Sequence, residues 1–220
     1  MLDIYLMRHA KSVMNDKPHL IGGRSNDAPL SMEGSHQSEL LGYRFLKDKI
    51  KFDEIYSSSA IRTLETSKPV CDITGYPLEK IITSEELLEL SQGDWEGRLR
   101  AEVYTPQVLS KINSDNWHFT PPNGESQRVV EERMLNWIHE NLITRYTENL
   151  RIGIFGHGTA FKCALRGIMG FSPKMTYKIV LDNTSITRLQ YSEKGWHLLS
   201  INDCAHLKHY RRPRILRGLS

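Results

Sequence analysis

The stretch Leu2-Asp3-Ile4-Tyr5-Leu6-Met7, followed at once by Arg8-His9, decides the fold class. A short, mostly apolar run of this kind is typical of a strand buried on both faces of a sheet. A second run, Ile152-Gly153-Ile154-Phe155, stops in a similar way at Gly156-His157-Gly158. The two runs therefore predict two buried strands, each ending at a histidine.

Further strands and helices alternate along the chain. Apolar residues at helical spacing follow good capping residues, and short apolar runs lie between them. The predicted elements are a helix capped by Ser31, a strand over 52–56, a helix capped within 57–59 that contains Arg62, a helix beginning near Ser126, a helix over 160–168 that Gly170 ends, and a hairpin of 185–191 with 196–201. This alternation predicts a three-layer α/β/α fold with a mostly parallel sheet and one antiparallel strand.

Length and composition predict one globular domain over residues 1–220. Apolar residues make up 39%, charged residues 25%, and 15 glycines are present. These values are ordinary for globular proteins and exclude wholesale disorder and fibrous classes. Residues 98–123 are the least regular part, and we expect them to form a loop or insertion near the site.

The compartment follows from what the sequence contains. No signal-peptide pattern opens the chain, and no run is apolar enough for a membrane span. The three cysteines, Cys71, Cys163 and Cys204, show no C-x-x-C spacing and suit a reducing compartment. We therefore expect a cytoplasmic protein without a membrane partner.

A basic tail carries the excess positive charge. The net charge is +3, but residues 208–220 hold five Lys or Arg and no acid, which leaves 24 basic against 26 acidic residues elsewhere, a net charge of −2. Such a tail could touch nucleic acid or acidic lipid, but a solvated tail is the commoner case, so we do not expect a nucleic-acid partner. A homo-oligomer is compatible with the sequence.

Cationic and imidazole side chains should meet at one edge of the predicted sheet. His9 and His157 follow strand ends, Arg8 precedes His9, and Arg62 lies near the start of a helix that follows another strand. Sites of open α/β sheets lie beyond the carboxyl ends of the strands, where helix starts also offer free backbone N–H groups. Two guanidinium groups and two imidazoles in such a place favour a phosphate site.

These residues belong to motifs that together resemble the histidine phosphatase superfamily, which has the phosphoglycerate-mutase-like fold. The resemblance covers most of the chain. The motifs are Leu6-Met7-Arg8-His9-Ala10-Lys11-Ser12 with Asn15, the loop Gly23-Arg24 with Asp27-Ala28-Pro29-Leu30-Ser31, Tyr56 to Thr63 with Arg62, Glu89-Leu90-Ser91-Gln92-Gly93-Asp94-Trp95-Glu96-Gly97, Pro122 to Ser126, and Phe155-Gly156-His157-Gly158.

The resemblance implies the chemistry of the site. His9 is the nucleophile that forms a phosphohistidine, and Arg8, Arg62 and His157 hold the phosphoryl oxygens. A bond from the other ring nitrogen of His9 to a backbone carbonyl would fix the neutral tautomer. The resemblance implies neither a cofactor nor a metal.

Glu89 is the acid and base that we favour, because its spacing from Gly93 matches the superfamily's acidic motif. Glu85, Glu86 and Glu96 are the competing carboxylates nearby. Further phosphate or substrate contacts fall on Asn15, Gly23, Arg24 and Gly158, with Arg24 equally suited to a surface role.

The expected activity is metal-independent hydrolysis of a small phosphorylated metabolite. The alternative is a cofactor-dependent phosphoglycerate mutase, with Arg100 in place of a substrate lysine, although no pair of cations precedes Pro121-Pro122. A non-catalytic module that binds phosphorylated ligands is a third reading. Zinc binding by Cys204, His206 and His209 is not expected, because their spacing needs a helix that the sequence does not clearly supply.

Overall fold

The computed structural model describes residues 1–145 and 149–208, in which a six-stranded sheet is covered by helices on both faces. The strands are β1 (Leu2–Arg8), β2 (Glu54–Ser58), β3 (Ile82–Ser84), β4 (Leu150–Gly156), β5 (Ile186–Ser192) and β6 (Gly195–Asp203). They lie in the order β3-β2-β4-β1-β5-β6. The first four are parallel, and β5 runs antiparallel to both of its neighbours, β1 and β6. The predicted fold class, a mostly parallel sheet with one antiparallel strand, is confirmed.

Six α-helices accompany the sheet within the described residues. They are α1 (Met32–Lys47), α2 (Ile61–Thr74), α3 (Arg100–Val103), α4 (Pro106–Ser114), α5 (Gln127–Ile138) and α6 (Gly158–Met169). A π-helical turn over His139–Ile143 extends α5. Short 3₁₀ turns occupy Leu78–Lys80, Glu85–Leu87, Gly93–Trp95, Pro173–Met175 and Ala205–Leu207.

The alternation of side chains along β1 separates the two halves of the core. Leu2, Ile4 and Leu6 pack with apolar residues of α5 and α6. Tyr5 and Met7 point to the other face, where they pack with apolar residues of α1 and α2. Successive side chains of a strand point to opposite faces, so a run that is apolar throughout must be covered on both sides.

Two of the predicted helix starts are confirmed and one is wrong. The Ser31 hydroxyl accepts from the Gly34 N–H, and the Ser126 hydroxyl accepts from the Val129 N–H. In contrast, the residue directly before α2 is residue 60 and not one of the serines at 57–59, and its side chain makes no capping bond. Ser57 is still paired with both neighbouring strands, which keeps this stretch in β2.

The segment 98–123 is more regular than expected, because it contains α3 and α4. Thr105 caps α4 and Pro106 occupies its first turn, both ordinary signals for a helix start. Trp95 and Val103 form a small core of their own, against which Phe119 packs. Two helices therefore lie in the segment that we expected to form a loop or insertion, whereas the basic tail beyond residue 208 lies outside the described residues.

None of the helices within residues 1–145 and 149–208 combines the length and the apolar run that crossing a lipid bilayer requires.

Candidate active site

His9 and His157 lie side by side because β1 and β4 are adjacent parallel strands in register. Arg8 pairs with Gly156, and the His9 N–H donates to the Gly156 carbonyl at 2.9 Å. The two imidazole centroids are 5.3 Å apart. A cavity of about 520 Å³, called the site cavity below, opens in front of His9 at this end of the sheet.

One ring nitrogen of His9 is fixed by the backbone. Nδ1 lies 2.7 Å from the Ala10 carbonyl oxygen, which can only accept, so Nδ1 carries the proton and Nε2 keeps its lone pair. Burial holds the pKa of His9 well below its usual range, and the charges of Arg8 and Arg62 lower it further. The neutral ring with a free Nε2 is the form that a nucleophilic histidine requires.

Arg8 and Arg62 place two cations beside this ring. The Arg8 Nη1 donates to the Leu181 carbonyl at 2.7 Å, while its buried Nε has no hydrogen-bond partner in the described part of the chain. The Arg62 Nη1 donates to the carbonyl of Ser25 at 2.8 Å. Burial lowers the pKa of both guanidinium groups. Desolvated cations with spare donors favour an anionic ligand in the site cavity.

His157 is buried behind Arg62. The Arg62 Nη2 donates to its Nδ1 at 2.9 Å, so its Nε2 carries the proton and donates to the Ser58 hydroxyl at 2.9 Å. Burial and the Arg62 charge hold the pKa of His157 well below its usual range. Both ring nitrogens are thus engaged with protein, and a contact to a phosphoryl oxygen requires exchanging one of these bonds. Ser58 is a partner that sequence spacing did not reveal.

Glu89 is the carboxylate that lines the site cavity among the four acids considered. Its Oε1 accepts from the N–H groups of Leu90 and Ala160, and its Oε2 accepts from that of Thr159 at 3.0 Å. The sequence suggested that the N–H groups at the start of α6 remain available to a ligand. In the structure, two of them bind the Glu89 side chain instead. These N–H groups fix the direction of the Glu89 carboxyl group.

The competing acids lie elsewhere. Glu85 and Glu86 are exposed in a 3₁₀ turn. Glu96 accepts from the N–H groups of Arg24, Gln92 and Ser25, and it holds the loop that precedes α1. This loop passes so close that a Cβ at residue 23, where φ is +55°, would lie 2.3 Å from Glu96 Oε1, which explains the glycine.

A comparison with known protein families decides the identity of this arrangement. The family model described as "Histidine phosphatase superfamily (branch 1)" matches residues 4–204. The chain belongs to this superfamily. The stretches of sequence that resembled the superfamily's motifs supply four residues of the site, namely His9, Arg62, Glu89 and His157.

Relatives of this chain are named for two different activities. "Probable phosphoglycerate mutase GpmB" of Yersinia enterocolitica is 28% identical over 94% of this chain and 95% of its own length. "Putative phosphoserine phosphatase 2" of Hydrogenobacter thermophilus is 29% identical over 93% of this chain and 97% of its own. The structure of phosphoserine phosphatase from Entamoeba histolytica in complex with 3-phosphoglyceric acid has a TM-score of 0.80 at 24% identity, with 94% of this chain and all of that chain covered.

The remaining predicted contacts fall into two groups. Asn15 and Gly23 line the site cavity, and a Cβ at residue 158 would lie 3.2 Å from the Arg8 Nε, so Gly158 gives that guanidinium its space. Arg24 does not line the cavity. Its guanidinium forms an ion pair with Glu125 at 3.2 Å, and this placement agrees with a structural role instead of a substrate contact.

Glu125 and two arginines hold the backbone that carries Glu89, a role that sequence spacing did not reveal. We call Glu125, Arg24 and Arg133 the Glu125 cluster. The Arg133 Nε donates to Glu125 at 3.0 Å, and its Nη2 donates to the carbonyls of Leu88 and Glu89. The side chain of Arg24 also donates to the Glu89 carbonyl. The cluster therefore fixes the position of the Glu89 backbone, while the start of α6 fixes its side chain.

Within residues 1–145 and 149–208, no three His, Cys, Asp or Glu side chains are grouped to hold an ion. Cys204 is buried, and His206 Nε2 lies 3.0 Å from the Thr184 hydroxyl. His209, the third residue of the trio considered above, lies outside the described residues.

Proposed function

We propose that the protein hydrolyses phosphomonoesters of small metabolites through a phosphohistidine at His9. The observation that carries this proposal is the bond between His9 Nδ1 and the Ala10 carbonyl, which leaves Nε2 as the nucleophilic atom beside Arg8 and Arg62. Membership of the superfamily and a relative named for phosphoserine phosphatase activity support the same reaction.

In the first displacement, His9 Nε2 forms a bond to phosphorus while the ester P–O bond breaks. Arg8 and Arg62 stabilise the charge on the phosphoryl oxygens, and Glu89 gives a proton to the departing alkoxide. His157 keeps Arg62 in place through the bond to Nδ1. The two guanidinium groups supply positive charge of the kind that a metal ion provides in other phosphoryl-transfer sites, so the proposed reaction needs no metal.

In the second displacement, water attacks the phosphohistidine. Glu89, now a carboxylate, takes a proton from this water, the P–N bond breaks, and inorganic phosphate leaves with His9 again neutral. One carboxylate therefore serves both steps, and no cofactor is consumed. The proposal retains the cytoplasm as the compartment, because the buried Cys71, Cys163 and Cys204 form no disulfide in the described part of the chain.

Phosphoglycerate mutase activity is the second candidate, favoured by two cations in the wall of the site cavity. Lys17 and Arg100 line it together with Tyr104 and could bind a substrate carboxylate. A mutase converts 3- into 2-phosphoglycerate with little release of phosphate, whereas a phosphatase releases phosphate from its monoester substrates. A module that only binds phosphorylated ligands would do neither, so assays of phosphoglycerate conversion and of phosphate release from p-nitrophenyl phosphate together separate the three.

The deciding experiment is rapid quenching of the enzyme with p-nitrophenyl phosphate, followed by mass spectrometry of the peptide that contains His9. We expect one added phosphoryl group in the wild type and none in His9→Ala. His197→Ala, an exposed histidine on β6, is the matched control and should behave like the wild type. Turnover should persist in the presence of a chelator. Turnover without a labelled His9 would refute the proposal.

A further inference from the structure

A second cavity, of about 610 Å³, lies beside the site cavity. The two cavities share four lining residues, Leu90, Gln92, Arg100 and Tyr104. A molecule whose phosphate group lies against His9 can therefore extend directly from the first cavity into the second.

The wall of the second cavity is mainly apolar and comes largely from the segment 98–123. It includes Trp95, Tyr104, Leu109, Ile112, Phe119 and Tyr177. The Trp95 ring lies 5.7 Å from that of Phe119 and 5.9 Å from that of Tyr104, so these aromatic side chains support one another. Leu109 nevertheless remains 43% exposed, which leaves apolar surface that a ligand could cover.

Most of the polar side chains in this wall, those of Arg100, Asn116, Glu125 and Gln127, already have partners in the protein. The Asn116 side chain donates to the Pro173 carbonyl at 2.9 Å, and the Gln127 side chain donates to the Tyr177 hydroxyl at 3.0 Å. Glu125 is held in the cluster named after it. A ligand in this cavity is therefore bound through apolar contact more than through hydrogen bonds, and a strongly polar group would lose its water there without compensation.

We propose that the second cavity, called the apolar subsite, binds the alcohol portion of the substrate. The substrate class is phosphate monoesters of alcohols that carry an aliphatic or aromatic group, with the phosphate against His9 and the apolar group among the side chains of α4. This inference rests on the proposed function of the site cavity. Each methylene that becomes buried should raise affinity by about threefold to fourfold.

Two series of probes test the subsite with the full-length protein. Ethyl, butyl, hexyl and octyl phosphates have leaving groups of nearly equal basicity, so differences in kcat/KM report binding of the chain. The corresponding alkylphosphonates cannot be hydrolysed at the P–C bond, and calorimetry measures their affinity without any turnover. We expect both quantities to rise by at least tenfold from the ethyl to the hexyl compound.

Matched variants locate the effect. Leu109→Gln should lower the hexyl-to-ethyl ratio of kcat/KM and of phosphonate affinity by about threefold to tenfold. Leu199→Gln changes a leucine of similar exposure, 46%, on the edge strand β6 and should leave both ratios unchanged. Equal affinities across the phosphonate series, or equal loss in the two variants, would overturn the subsite. Length-dependent phosphonate binding without release of phosphate from any ester would instead overturn the proposed function and leave the subsite standing.

Discussion

Replacing Glu89 by Gln should separate its chemical role from its structural one. The carboxylate accepts three backbone N–H groups, two at Oε1 and one at Oε2. In Glu89→Gln the amide oxygen can take the Oε1 position, but the NH₂ group then faces the Thr159 N–H, and two donors oppose each other. Loss of one charge-assisted bond, together with the helix-dipole contribution, should lower the free energy of unfolding by about 2 kcal/mol.

The effect on the reaction depends on the leaving group. An alkoxide needs a proton as it departs, so removing the acid should slow phosphorylation of His9 by ethyl phosphate by about 10²–10⁴-fold. The p-nitrophenolate ion leaves without a proton, and its first turnover should be slowed far less. Because the second displacement then lacks its base, the variant should release p-nitrophenol in a rapid burst and stop at the phosphohistidine.

The assay is rapid-mixing kinetics of the first turnover with both substrates, and Glu96→Gln is the matched control. Glu96 also accepts three backbone N–H groups, but it does not line the site cavity. Glu96→Gln should therefore lower the free energy of unfolding by a similar amount and slow the turnover of both substrates by the same factor. If Glu89→Gln slows the burst with p-nitrophenyl phosphate as much as the turnover of ethyl phosphate, Glu89 is not the acid.

Three further predictions concern groups that are buried or that hold Glu89. Because burial and two arginines lower the pKa of His9, the acid limb of kcat/KM should lie below pH 6.5, and a pH profile with its limb at or above that value contradicts this. Because His157 is buried in its neutral form, the free energy of unfolding should decrease as pH falls below about 6.5, where only the unfolded chain binds a proton. In His157→Gln the free energy of unfolding should depend less steeply on pH, by about 1.4 kcal/mol per pH unit between pH 6 and 5. Arg133→Met should lower kcat about tenfold to a hundredfold, and Arg128→Met, which changes an exposed arginine, is the control. Equal rates in the two variants would show that Arg133 does not position Glu89.

Most strands and helices of the described residues were predictable because their signals are local, whereas the three-residue strand β3 and the helices α3 and α4 were missed. The buried run of β1 and the cap at Ser126 need only a few consecutive residues to be recognised. The start of α2 was not, since Ser57 looks like a capping residue until its pairing with two neighbouring strands is known. Periodicity contains no information about such pairing.

The residues of the candidate site were predictable from the sequence, but the groups that hold them in place were not. Motif spacing singled out His9, Arg62, Glu89 and His157, all of which the structure brings to one end of the sheet. It could not reveal which atoms hold them, because the partners are distant in sequence. The carbonyl that accepts from Arg8, for example, lies 173 residues further along the chain. Backbone groups of this kind leave no trace in residue identity, so only the folded chain shows them.

The sheet order has a consequence for how selectivity can change. Both histidines stand at the ends of β4 and β1, the two central strands, where cooperative opening of the chain costs most. Part of the wall of the apolar subsite comes instead from α4, a helix of nine residues with no buried residue. Substitutions there can accumulate at small thermodynamic cost, so the preferred alcohol can drift over generations while the phosphoryl-transfer centre stays intact.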